Sequence, residues 1–319
     1  MSVAFVFPGQ GSQDVGMGAA LAKAFASARE VFEEVDTALG EKLSDTIWNG
    51  PKDKLTLTEN AQPALMAVSM AVMRVLEREK GFELARRVAF VAGHSLGEYS
   101  ALAAAGAISI GDAARLLRLR GRAMQSAVPV GQGAMAALLG VGIDVARIVA
   151  EEASQGEVCE VANDNEPTQV VLSGHRSAID RVVEIGKKHG VRRTLPLPVS
   201  APFHCRLMQP AAEVMAEALA RIEIGAPRVP LVANVMAKPI REPDEIRRCL
   251  VEQVTRTVRW RECVTEMTAQ GVKEFYEIGA GKVLAGLVKR IAKDAQAHSI
   301  GMPEELEAVA ARLAGARLH

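Results

Sequence analysis

Val88-Ala89-Phe90-Val91-Ala92-Gly93-His94-Ser95-Leu96-Gly97-Glu98-Tyr99-Ser100 is the stretch on which the reading of this chain turns. An apolar run enters it, Gly93-His94-Ser95-Leu96-Gly97 fits G-x-S-x-G, and a segment rich in Ala and Leu leaves it, ending at Gly106. Strand, tight turn and helix in that order are the context the pattern requires. The glycines permit the turn, the turn exposes the serine hydroxyl at the carboxyl edge of a sheet, and the helix N-terminus offers backbone N–H groups to an oxyanion. Ser95 is therefore the candidate nucleophile. The plainer reading, a glycine-bounded turn with a capping serine, is weakened by the two flanking elements.

Working outward, short apolar runs at 4–7 and 88–91 alternate with longer helical stretches, which predicts an α/β fold with a mainly parallel sheet covered by helices on both faces. Between 133 and 200 the pattern changes. Runs at 134–141, 158–162, 170–172 and 193–199, with helices near 144–153 and 177–188, follow the β-α-β-β-α-β order of a ferredoxin-like unit. The expected architecture is a large α/β-hydrolase-like domain made of 1–129 and 198–319, with a small ferredoxin-like domain, 130–197, inserted into it. A cleft between the two is where a ligand is expected.

Composition narrows the function. Lys+Arg and Asp+Glu both total 38 in 319 residues, so no global charge draws the chain to nucleic acid or to an anionic membrane. Cys159, Cys205, Cys249 and Cys263 lack C-x-x-C spacing, which argues against a metal site and a disulfide framework and suits a reduced cytoplasmic setting. The apolar run at 63–73 is too short to span a bilayer, and 4–7 is too short for a signal-peptide core. No metal or redox cofactor is implied.

A serine hydroxyl needs a base at neutral pH. His94 adjoins Ser95 but should point away at a tight turn; His175 begins a helix of the small unit; His189 follows two lysines at a helix end; His298 and His319 lie in polar terminal segments. His204 remains, in a proline-marked segment where the chain returns from the inserted unit to the large one. No acid stands in an obvious place behind it, so a backbone carbonyl or a side-chain amide is expected to orient the imidazole.

Residues 109–125 read as a helix opened by a Ser109-x-x-Asp112 capping pattern. At about 100° per residue, Arg115, Arg118 and Arg122 share one face, whereas Arg120 falls in the arc of Ala113, Leu116, Leu117 and Met124. A core-facing arginine needs an internal acid or an anionic ligand. The guanidinium fork suits a ligand carboxylate.

These motifs together resemble the malonyl-CoA:acyl carrier protein transacylases from residue 5 to about 291. The resemblance is carried by Phe7-Pro8-Gly9-Gln10-Gly11-Ser12-Gln13, the elbow through Ser100, Arg120-Gly121-Arg122-Ala123-Met124-Gln125, Asn163-x-Asn165-x-Pro167-x-Gln169, Ser200-Ala201-Pro202-Phe203-His204, and Glu277-Ile278-Gly279-Ala280-Gly281. It implies Ser95 as nucleophile, His204 as base, Gln253 as the residue whose carbonyl orients the base, and backbone N–H groups of Gln10 and Leu96 as the oxyanion hole. Arg120 would clamp the malonyl carboxylate, with Met124, Asn163 and Phe203 about the substrate. Ala280 replaces the family's usual proline. Phe203 stands where many members carry serine and resembles the malonyl-selective modules of polyketide synthases, which predicts that an α-methyl branch is crowded out.

The implied reaction takes a malonyl group from malonyl-CoA to the phosphopantetheine thiol of acyl carrier protein by a ping-pong route, for fatty-acid synthesis. The chain is expected to act as a monomer. Arg192-Arg193, Arg247-Arg248 and Lys289-Arg290 are candidate contacts for the acidic carrier. The competing readings are a serine thioesterase or esterase, which would deliver the acyl group to water, and a non-catalytic carrier-protein-binding module.

Overall fold

A computed structural model describes residues 2–199 and 201–315, with side chains described to residue 312; Ser200 and His319 lie outside the described residues. The strands are β1 (Ser2–Phe7), β2 (Phe90–Gly93), β3 (Gly133–Leu139), β4 (Cys159–Glu166), β5 (Gln169–His175), β6 (Arg193–Pro196), β7 (Leu231–Ala233), β8 (Lys238–Ile240), β9 (Val272–Ile278) and β10 (Gln296–Ile300).

Six of them form one sheet in the order β10-β9-β1-β2-β7-β8, parallel throughout except for β8, which runs antiparallel to β7 at the edge. β1 is central and apolar without alternation because both of its faces are covered. Val3, Phe5 and Phe7 enter the core built with helices Thr58–Glu79, Gly97–Ala104 and Ile110–Ser126. Ala4 and Val6 enter a second core with helices Trp260–Ala269 and Val283–Ile291. The 63–73 run proves to be the interior of the 22-residue helix Thr58–Glu79, and no helix among the described residues is long and apolar enough to cross a membrane.

The other four strands form an antiparallel sheet in the order β4-β5-β3-β6, which is the pairing that the β-α-β-β-α-β order predicts. Here alternation decides which face meets what. Ala136 and Leu138 of β3 pack with helices Ile143–Ser154 and Arg176–Lys188, whereas Met135 and Ala137 join the core of the large sheet. The two sheets are further tied by a bridge between Asn163 and Val258 and by Arg261, which grips the fully buried Asp164 carboxylate at 2.8–3.1 Å. A cavity of about 250 Å³ is left between them.

Candidate active site

The elbow is built from what its glycines leave out. A methyl on Gly93 would overlap the backbone of Gly97, and one on Gly97 would overlap the Phe7 carbonyl, so strand β2, the turn and helix Gly97–Ala104 can close on one another only at these two positions without a side chain. The turn leaves Ser95 at φ 53°, a left-handed conformation that costs about 1–3 kcal/mol for a residue with a Cβ. That strain is held by Asn234, whose Oδ1 accepts from the Ser95 N–H at 2.9 Å and whose Nδ2 donates to the Gly93 carbonyl at 2.7 Å.

The structure brings Ser95, His204, Arg120 and Gln253 together. Ser95 Oγ lies 2.8 Å from His204 Nε2, and His204 Nδ1 lies 2.8 Å from the Gln253 carbonyl oxygen. A carbonyl only accepts, so Nδ1 carries the proton, Nε2 has a lone pair, and the serine hydroxyl donates to it. Of the two expected partners, a backbone carbonyl and a side-chain amide, it is the Gln253 carbonyl that lies against Nδ1. His204 is also left-handed, at φ 58°. Burial, and next the charge of Arg120, hold its pKa down to about 3, so the imidazole is neutral and able to accept a proton.

Arg120 is 1% exposed and faces the core, as its helical position requires. Its Nη1 donates to Gln62 Oε1 at 2.7 Å; its Nη2 donates to Gln253 Oε1 at 2.8 Å and to Ser95 Oγ at 3.0 Å. The Tyr99 ring lies 5.9 Å from the guanidinium carbon. No carboxylate is in direct contact with it among the described residues, and burial lowers its pKa. Of the five N–H donors of a guanidinium, Nε and one on Nη1 have no partner among the described residues, and the Ser95 bond can be exchanged. The result is a buried cation beside a nucleophile, surrounded by neutral amides.

Gln10, Leu96, Met124, Asn163 and Phe203 all line the same cavity. Leu96 is the N-cap of helix Gly97–Ala104, so its backbone belongs to the positive end of that helix. Gln10 is tied in by its side chain, which accepts from Thr58 Oγ1 at 2.8 Å. The other described histidines have other partners, although His94 also lines the cavity. His94 bonds Asn165 at 2.8 Å, His175 accepts from Val158 N–H at 2.9 Å, His189 meets Glu152 at 2.9 Å, and His298 stacks on Tyr276.

Four residues escape the sequence reading. Arg118, placed with the outer arginines by its position, is 7% exposed and bonds Asn60 and Glu41. Gln62, on the helix Thr58–Glu79, meets Arg120. Glu98 and Asn234 lie wholly buried behind the elbow. Burial pushes the Glu98 carboxyl up to about 8, against the pull of the Asn234 N–H, the Gln253 amide and the Arg120 charge. The visible signal was Glu98 itself, an acid in the first turn of an otherwise apolar helix. Among the basic pairs, Arg247 is tied to Asp244 and the Leu219 carbonyl, Arg248 lies 3.6 Å from Glu245, and Arg290 lies 3.6 Å from Glu166.

Such a constellation can deprotonate a hydroxyl, stabilise an oxyanion and hold an anionic acyl group, which is acyl-transfer chemistry. Comparison with known proteins agrees. The model of the acyl transferase domain matches residues 4–317. The malonyl CoA-acyl carrier protein transacylase of Escherichia coli K12 is 47% identical over 96% of this chain and 97% of its own. The crystal structure of acyl-carrier-protein-S-malonyltransferase from Bartonella henselae superposes with a TM-score of 0.96 at 54% identity, covering 98% of this chain and 100% of that one. A malonyl-transacylase in complex with its type II PKS acyl-carrier protein superposes with a TM-score of 0.94 at 43% identity, over 98% of this chain and 100% of the other.

Proposed function

This chain belongs to the malonyl-CoA:acyl carrier protein transacylases of the acyl transferase domain family, and from that premise we infer that it carries malonyl groups from coenzyme A to acyl carrier protein through an ester on Ser95. The observation that carries this reading is the buried Arg120 guanidinium 3.0 Å from the nucleophile, which makes the cavity selective for an acyl group with a second carboxylate.

The chemistry follows from the contacts. Ser95 Oγ gives its proton to His204 Nε2 as it bonds to the thioester carbon, and the imidazolium is stabilised by the Gln253 carbonyl at Nδ1. Negative charge on the former carbonyl oxygen is taken by backbone N–H groups of Gln10 and Leu96. The C–S bond then breaks, and the thiolate leaves with the proton from His204. The carrier's phosphopantetheine thiol repeats the sequence in reverse, so one set of groups serves both halves, and no cofactor is needed. Apolar walls from Leu96, Met124, Met135, Leu197 and Phe203 keep water from the ester. Phe203 leaves little room for an α-methyl branch.

The chain is read as a cytoplasmic monomer supplying fatty-acid synthesis, with the small unit at 130–197 forming one wall of the cleft. Arg192 and Arg193 are exposed where the chain enters β6, whose continuation at 197–199 lines the cavity, which favours them as the contact for an acidic carrier.

Intact-mass spectrometry after mixing with malonyl-CoA tests the assignment. A malonyl adduct is expected on the wild type and not on Ser95→Ala. With carrier protein added, the label should move to the carrier; free malonate as the main product would make the protein a hydrolase instead.

A further inference from the structure

Glu98 reaches Arg120 through a single amide. Its Oε1 accepts from the Asn234 backbone N–H at 2.6 Å, and its Oε2 accepts from Gln253 Nε2. The same Nε2 also faces the Ser95 carbonyl at 3.0 Å and Asn234 Oδ1 at 3.4 Å, while Gln253 Oε1 takes the Arg120 bond. Only one orientation of that amide is possible. Turned over, its NH₂ would oppose the guanidinium, which has donors only, and its oxygen would oppose three acceptors at once.

The orientation fixes what Glu98 must be. Both its oxygens face N–H donors, and an acid O–H would meet a donor at either one. The hydrogen-bond pattern is that of a carboxylate, which these two donors and the Arg120 charge favour against the burial that pushes its pKa up to about 8; in that form a buried carboxylate and a buried guanidinium joined through one amide compensate each other without touching. Direct contact would neutralise Arg120 and close it to a ligand. At one amide's remove, the cation is tolerated in the core while its remaining donors stay free.

Resting on the malonyl-transfer reading above, we propose that Glu98 is a positioning residue for acyl selectivity. Through the side chain of Gln253 it supplies the internal countercharge of Arg120 and fixes the amide that aims the guanidinium at the acyl carboxylate. Gln253 then acts twice: its main chain orients His204, and its side chain orients Arg120. Asn234 locks the far end by holding both the Glu98 carboxylate and the Ser95 N–H.

Glu98→Gln tests this at constant size. The Asn234 N–H keeps the new Oε1, which turns the new NH₂ toward Gln253 Nε2 and sets donor against donor. The acylation kcat/KM for malonyl-CoA should fall about ten- to hundredfold, the scale of one hydrogen bond to a charged group, and acetyl-CoA should lose less. The fall should lie mainly in KM. Gln253→Met, which keeps the carbonyl for His204, should lower the malonyl:acetyl ratio in the same sense, and the double variant should lower it no further than the more affected single variant. An unchanged malonyl:acetyl ratio in Glu98→Gln, or in Gln253→Met should Glu98→Gln not fold, would overturn the proposal, as would full additivity. A wild type that forms no malonyl adduct would instead refute the transfer reading itself.

Discussion

Arg118 and Arg120 stand two positions apart on one helix, 7% and 1% exposed, and the structure treats them oppositely. Arg118 is closed by a carboxylate: Glu41 bonds its Nη2, Asn60 bonds its Nη1, and Glu59 lies 3.9 Å away. Arg120 meets two glutamine oxygens and a hydroxyl, and its carboxylate waits behind one of the amides. Burial of an arginine is thus no sign of function by itself. What distinguishes the ligand clamp, Arg120, from the structural ion pair of Arg118 is whether an acid already touches the guanidinium.

The strongest test of this difference is Arg120→Ala. A carboxylate held by two charge-assisted hydrogen bonds loses about 1.5–3 kcal/mol for each, so acylation by malonyl-CoA should fall about 10²–10⁴-fold. Acetyl-CoA, which has nothing for the guanidinium to hold, should lose far less. Equal losses in rates followed by mass would remove Arg120 from selectivity.

Arg118→Met should do the reverse. It keeps the apolar stem but strips the bonds to Asn60 and Glu41. Because Glu41 is about half exposed and can rehydrate, the cost is about 1–3 kcal/mol of folding stability, below that of a fully buried pair. The urea midpoint should drop while the malonyl:acetyl ratio holds. A changed ratio would mean that the two arginines are coupled through the helix.

How far this contrast was legible in the sequence depends on the distance over which the deciding contact acts. The elbow could be read because its causes are local: Gly93 and Gly97 are four apart and touch one another across the turn. The antiparallel sheet could be read because the strand and helix periods change together over 133–200. Arg120 could be placed by periodicity, for helix packing follows the 100° repeat. Arg118 could not, because its cover comes from Glu41 and Asn60, 77 and 58 positions away, on segments whose approach the sequence does not express. That approach needs Gly121, where a methyl would overlap the backbone of Glu59. Gln253 was reached by family resemblance alone, and Glu98 and Asn234, 155 and 19 positions from it, were not reached at all.

The charge of Arg120, which no carboxylate touches, should also leave its mark on the base. Burial first and the Arg120 charge second hold His204 down to about 3. A lowered pKa keeps the imidazole unprotonated as pH falls, so acylation by acetyl-CoA, which brings no carboxylate to the cation, should stay flat from pH 7.5 to 5.5. An unshifted histidine of pKa about 6.5 would lose roughly tenfold over that range. With malonyl-CoA the acyl carboxylate cancels the charge, and the fall should begin at higher pH than with acetyl-CoA. Identical profiles for the two would break the link between the clamp and the base.

The smallest effect is expected from the third arginine of the set. Arg122 forms a 2.7 Å bond to Glu59, geometrically as good as those of Arg120, yet its side chain is 60% exposed. Water competes for both partners, and an exposed pair of this kind contributes about 0.2–1 kcal/mol. Arg122→Gln should therefore leave the malonyl:acetyl ratio untouched and shift the urea midpoint by less than Arg118→Met does. Glu59 also faces Arg118 at 3.9 Å, so in Arg122→Gln it can turn wholly to that neighbour and recover part of the loss. A shift as large as that of Arg118→Met would show that the helix is held by its number of charges, and the distinction drawn here from burial and contact would have to be given up.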